Sequence, residues 1–262
     1  MSRRPLLTEL LDRRELVSNF VVRNLKQRYK GSALGFFWSL LHLLFLVFIY
    51  LVFIRLMRFS TSIPHLLVGV MVWQFLSLST GDAAGVVLGN ASLVKKTWFP
   101  RVILPLSAVL SNLVHFGLSL LVLAAALPLL GVSPGIGWLH LPWLIALQFV
   151  FSLGISLGLS ALNVFYRDVE HLVPIALMSW FFVTPVIYSP DTVLKNQTLP
   201  AWVAPVFFAN PMTALLAWYR HAFLGDPLPA VALWPGLLLA VAVFFVGALV
   251  FSLLEPRFAD EL

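Results

Sequence analysis

The 262-residue chain is 60% hydrophobic and only 11% charged, with a mean hydropathy of +0.95, whereas soluble domains carry about 25% charged residues; a water-soluble fold has no interior large enough for this much apolar surface. A net charge of +6 would suit a nucleic-acid ligand, but 8 of the 17 Lys and Arg fall in the first 30 residues, beside a long apolar block, which is the pattern of a basic tail against a membrane. Without cysteine, the chain has no disulfide, thiolate metal site or cysteine nucleophile.

In chain order, residues 6–30 come first. Leu7, Leu10, Leu11, Val17, Phe20, Val21 and Leu25 recur at helical spacing, with Arg13, Arg14, Arg23, Lys26 and Arg28 largely elsewhere. The spacing predicts an amphipathic helix in the membrane interface, a reading compatible with a simple basic anchor for the first crossing. The opening does not read as a signal peptide, because more than 30 mixed residues precede the first apolar run. Apolar windows suited to crossing helices follow at 35–57, 64–88, 102–130, 141–165, 172–188 and 230–254, the fifth being short for a crossing. Six crossings put both termini on one side. That side collects 13 Lys and Arg against 4 on the other, so it is expected to be cytoplasmic. Within 200–223, two apolar runs too short to cross are split by Asn210-Pro211. A re-entrant hairpin on the outer side fits them, since broken backbone at membrane depth needs protein or a watery cavity over it; the alternative is a seventh crossing.

The chemistry on offer is sparse. Asp82 is the only carboxylate inside a predicted crossing, read as a packing or near-interface acid or as a functional one. His42, His65 and His115 have no partner at i+3 or i+4 that suggests a metal site and read as polar packing residues. No phosphate-binding loop of the G-x-x-x-x-G-K-[ST] type is present, so ATP hydrolysis belongs to another chain. Asp168 and Glu170 lie on a short loop beside Arg167, where a surface contact suits them better than acid–base work. Of the 36 aromatic residues, most Trp and Tyr lie near crossing ends, as an interfacial belt does. Trp38, Tyr50, Trp73, Phe75 and Trp180 stand open to a second reading, as rings facing the bundle interior and suited to the faces of sugars.

The run Arg28-Tyr29-Lys30-Gly31-Ser32-Ala33-Leu34-Gly35 with Trp38 resembles the opening signature of permease subunits of ABC exporters for O-antigen, teichoic acid and capsular polysaccharide. Further matches are Val94-Lys95-Lys96 with Phe99-Pro100-Arg101 and Leu104-Pro105, Asn163 with Tyr166-Arg167-Asp168, Thr184-Pro185-Val186 with Tyr188, and Asn210-Pro211. They cover nearly the whole chain in order. The family's proline after the tryptophan is missing, with Leu41-His42-Leu43 in its place.

The resemblance implies an all-α integral membrane protein of six transmembrane helices with an N-terminal interface helix and an outer re-entrant hairpin before the last helix. It implies a homodimer bound to two ABC ATPase subunits in the bacterial cytoplasmic membrane, both termini cytoplasmic, exporting an undecaprenyl-type lipid-linked polysaccharide. No cofactor is expected on this chain, ATP and Mg belonging to the partner subunit, and no nucleic acid. Tyr166, Arg167, Asp168 and Glu170 would form the ATPase-coupling contact. A gate helix at 90–101 would bring Lys95, Lys96 and Arg101, with Arg23, Lys26 and Arg28, to the lipid headgroup and pyrophosphate. Asn210, Pro211, Trp218 and Tyr219 would belong to the outer gate. A polymer rich in hydroxyls needs a continuous polar or aromatic lining across the hydrocarbon layer, and the near absence of buried ionisable groups suits ATP-driven passage better than a proton-coupled carrier. Two rivals are a permease of the same architecture for a drug or simple lipid, and a membrane-embedded transferase acting on a lipid-linked sugar.

Overall fold

The computed structural model describes residues 13–31, 62–97, 99–194 and 198–262, with separate helical positions between 37 and 56. Among them no strand occurs. The helices are α1 (Arg14–Tyr29), α2 (Ile63–Ala84), α3 (Ala91–Lys96), α4 (Ile103–Leu129), α5 (Leu141–Phe165), α6 (Val169–Val183), α7 (Asp191–Leu194), α8 (Val203–Ala209), α9 (Pro211–Leu224), α10 (Trp234–Leu254) and α11 (Phe258–Glu261). Four are long and apolar enough to cross a membrane: α2, α4, α5 with the 3₁₀ turn Ile136–His140 that precedes it, and α10. The expected stretch 6–12 and most of the window 35–57, with Trp38 and Tyr50, lie outside the described residues.

Helix edges differ from the apolar windows where local chemistry decides. α2 ends at Ala84 rather than at 88, because Gly85 caps it and glycine weakens a helix by about 1 kcal/mol. The chain then passes through a 3₁₀ turn, Leu88–Asn90. The stretch 90–101 is helical only over Ala91–Lys96; Thr97 turns extended, and the residue before Pro100 is held out of helical geometry. α6 begins at Val169, ahead of the window 172–188, since helix formation tolerates the Glu170 and His171 that a charge-free window rejects. It stops at Val183, with Thr184 extended before Pro185. α10 starts at Trp234, not 230, with Pro235 in its first turn.

α2 is the central helix, packing against α4, α5, α6 and α9, while α5 and α10 form the most extensive pair. A Cβ on Gly154 would overlap the Phe244 backbone, and one on Gly247 would overlap the carbonyl of Gly154. Gly154 and Gly158 form a G-x-x-x-G step that lets the two backbones touch. Small polar side chains fill the α2–α5 seam: Gln148 Nε2 donates to the Val72 carbonyl at 2.7 Å and Ser156 Oγ to that of Ser79 at 3.3 Å.

The two ends of the bundle differ. At one, a core of Phe20, Val94, Phe99, Leu104, Val164 and Phe258 joins α1, α3 and α11 to the ends of α4 and α5. At the other, α9 packs on the Ile136–His140 turn and on α2, and His65 Nε2 pairs with Asp226 Oδ2 at 2.7 Å. Asn210 caps α9 by accepting from Met212 N at 3.1 Å, Pro211 occupies its first position, and Gly225 at φ 73° ends it.

Candidate functional site

Three regions hold the residues singled out in the sequence. The first is the α1 end. Tyr166 is 67% exposed, and Arg167, Asp168 and Glu170 are exposed beside it. Their loop is not slack: Asn163, fully buried, accepts from Glu170 N at 3.0 Å through Oδ1 and so satisfies one free amide at the start of α6. Glu170 lies against Gly85, where an added Cβ would stand 3.0 Å from its Oε2. The α6 loop therefore touches the end of α2 directly.

The six expected headgroup cations divide into two groups. Lys26, Lys95 and Lys96 are exposed, and Val94 anchors α3 in the core while the lysines after it point away. The three arginines are engaged within the chain. Arg23 Nη2 donates to Asn90 Oδ1 at 2.8 Å, and its guanidinium lies 4.6 Å from the Phe20 ring centroid. Arg28 bonds Asp82 and Asn112 at 2.5 and 2.9 Å. Arg101 donates to the Glu255 carbonyl, and its backbone N–H to Glu255 Oε1 at 3.1 Å, fastening the start of α4 to the C-terminal turn.

The second region is a groove of about 420 Å³ between α2 and α6. Trp73 lies in its wall and meets Trp180 and Phe181 edge-on, with centroids 5.9 and 5.6 Å apart. Polar groups interrupt the apolar lining: Gln74, Ser77 and Gly81 follow Trp73 along one face of α2. Gln74 Oε1 is buried without a hydrogen-bond partner among the described residues. Phe75 does not join this wall. It is 2% exposed and stacks on Phe116 at 4.8 Å and 10°, one helical position being enough to turn it into the core.

The third region is the α9 end. Asn210 accepts from Trp180 Nε1 at 3.2 Å and donates to Thr184 Oγ1 at 3.0 Å, so the break between α8 and α9 is tied to the end of α6. Pro211 is buried. Trp218 packs among Trp143, His140 and His221, at 5.2, 5.5 and 5.7 Å. Tyr219, expected with it at an outer gate, is fully buried and edge-on to Phe116; it is part of the core.

Sequence reasoning missed the residues whose roles depend on partners from distant helices. Arg220 enters the sequence reading only as one of the four Lys and Arg on the side opposite the basic tail. It is 3% exposed and donates to the Val186 carbonyl at 3.0 Å and to that of Tyr188 at 3.4 Å. Gln74, Asn112 and Glu255 gave no signal beyond being polar in or beside apolar runs. That signal, sharpened by helical spacing from Trp73, would have found Gln74 and Ser77.

Residues 15–224 match the model of the ABC-2 type transporter family. Among curated proteins, the chain is similar to an O-antigen export system permease protein of Klebsiella pneumoniae, 32% identical over 250 residues and 92% of each chain. It is similar also to one of Myxococcus xanthus, 34% identical over 219 residues, covering 80% of this chain and 81% of that one. With the match running from the first turn of α1 to the end of α9, this multi-pass, all-helical membrane chain belongs to the ABC-2 type transporter family.

Proposed function

We propose that this chain is the channel-forming membrane subunit of an ATP-driven exporter that carries a lipid-linked, O-antigen-like polysaccharide from the cytoplasmic to the outer face of the inner membrane. The observation that carries the reading is the similarity, over 92% of both chains, to a protein named for O-antigen export. Two copies would join two ATPase subunits, which bind the ATP and Mg that this chain has no loop to hold. The α1 end is the cytoplasmic end in this reading, and the exposed Tyr166, Arg167, Asp168 and Glu170 receive the ATPase's motion.

Six crossings result if the segment at 35–57 makes one and α6 another. α6 has 15 residues and a length of about 22 Å, less than a hydrocarbon core of about 30 Å. Residues 184–188 extend it outward, and the Arg220 bonds to two of their carbonyls supply what lipid does not. Helices α8 and α9, of 7 and 14 residues, serve as the outer re-entrant hairpin. The tie from Asn210 to Trp180, whose ring meets Trp73 halfway along α2, supports a turn at membrane depth. The α2–α6 groove, with aromatic rings beside Gln74 and Ser77, is the part of the polymer's path contributed by these two helices.

The test is co-purification of the tagged chain from its native host, with ATPase activity in lipid for wild type and for Asp168→Ala combined with Glu170→Ala. An ATPase subunit at equal stoichiometry, and coupled activity lowered by about tenfold in the double variant with the fold intact, is the expected result. Purification of the chain alone, with no ATPase bound, overturns the reading.

A further inference from the structure

We propose that Asp82 and Arg28 form a breakable latch that carries displacement of α1 into the α2 wall of the groove, with Asp82 a positioning residue for transport; the inference rests on the exporter reading above. α1 packs along α4. Its described hydrogen-bonded link to α2 is the contact of Arg28 Nη2 with Asp82 Oδ2. The pair is held in a closed triangle, because Arg28 Nη1 also donates to Asn112 Oδ1 at 2.9 Å and Asn112 Nδ2 reaches the same Asp82 oxygen at 2.9 Å. Asn112 is 1% exposed and its Nδ2 is bound also to the Ala108 carbonyl at 3.1 Å, so α4 provides the fixed corner. Three helices thus meet at one guanidinium.

The location gives the triangle a use. Asp82 follows Gly81 directly and stands one helical turn beyond Leu78, and both of these line the α2–α6 groove. A shift of the α1 end that pulls on Asp82 turns or tilts the stretch of α2 that bears the groove. Asp82 is also the only carboxylate within α2, α4, α5 or α10, where an uncharged asparagine would pack as well without the cost of a charge near hydrocarbon. The side chains of Arg28 and Asp82 are 29% and 44% exposed, and they border a polar cavity of about 190 Å³ that also takes in Asn24, Ser111 and His115. Neither partner is sealed in the core, and a pair open to this polar cavity contributes little to stability. It opens and closes readily, as a latch must and a buried strut does not.

The experiment replaces the wild-type chain in its own host with Arg28→Gln, Asp82→Asn, both together, and the exchange Arg28→Asp with Asp82→Arg. Surface polymer is measured in cells; ATP hydrolysis and thermal unfolding are measured on the complex copurified with its ATPase. Each single variant is expected to lower polymer exported per ATP by about tenfold, with the unfolding temperature and the quantity of complex unchanged. The double variant is expected to be no worse than either single one, because both break the same link, and the exchange restores part of the export. Wild-type export in the single variants overturns the latch, as do losses that multiply in the double variant. Loss of the complex from the membrane in both single variants also overturns it, making the pair a structural strut. If deleting the whole chain leaves surface polymer untouched, the exporter reading fails first and the latch with it.

Discussion

Arg220 holds a charge almost out of reach of water, and what it holds is backbone. Its guanidinium completes the hydrogen bonds of Val186 and Tyr188 where the chain beyond α6 has left helical geometry. Arg220→Leu keeps much of the bulk and strands those carbonyls, so a loss of about 2 kcal/mol is expected, read as a lower unfolding temperature in detergent. Asn210→Ala removes the α9 cap together with the bonds to Trp180 and Thr184; its cost should be at least the ~1 kcal/mol of a lost cap. Of these two, Asn210 was legible in the sequence, because asparagine before proline at the head of an apolar run is a helix start. Arg220 was not. A cation four residues from the end of such a run looks like a loop charge until the carbonyls facing it are known. Phe75 and Tyr219 lie in the core, which the sequence did not show for a related reason: helical spacing tells which residues share a face, and only the neighbouring helices tell whether that face is core or groove.

Among the elements, α5 and α10 depend most on a missing side chain. Gly247→Val places branched carbons where the Gly154 carbonyl already lies, so overpacking should cost about 1–3 kcal/mol or more, or drive the helices apart. Little monodisperse protein is expected from extraction. Gly117→Ala is the control, since a Cβ there meets nothing within 4 Å; it should extract and melt as wild type does. The existence of these helices was legible from uninterrupted apolar runs. Their ends were not, because Gly85, Pro100, Pro185 and Pro235 act through backbone geometry, which hydropathy does not measure. The pairing of α5 with α10 was equally hidden: Gly154 and Gly158 advertise a close approach, but spacing within one helix does not name the partner.

For the molecule as a whole, the alternation of crossings predicted which elements share an end, and the structure gathers α1, α3, the Tyr166–Glu170 loop and α11 at one end and the α9 region at the other. Which end faces the cytoplasm is open to direct measurement, and a chain with no cysteine is ready for it. A membrane-impermeant maleimide added to spheroplasts should label Ala230→Cys at once, and Lys96→Cys only after the membrane is opened. The reverse pattern would invert the proposed topology.

The contact between Gly154 and Gly247 also divides the machine into a stator and a mover. Two helices whose backbones touch cannot slide by even one residue without driving the neighbouring Phe244 backbone into α5, so any working stroke must be taken up elsewhere. α6 is suited to it: packed on α2 and α5, it keeps Leu172, Ile175, Met178 and Phe182 exposed, the last two beside the α2–α6 groove. Spin labels on α5 and α10 should hold one distance through the nucleotide cycle, while a label on α6 changes its distance to either of them.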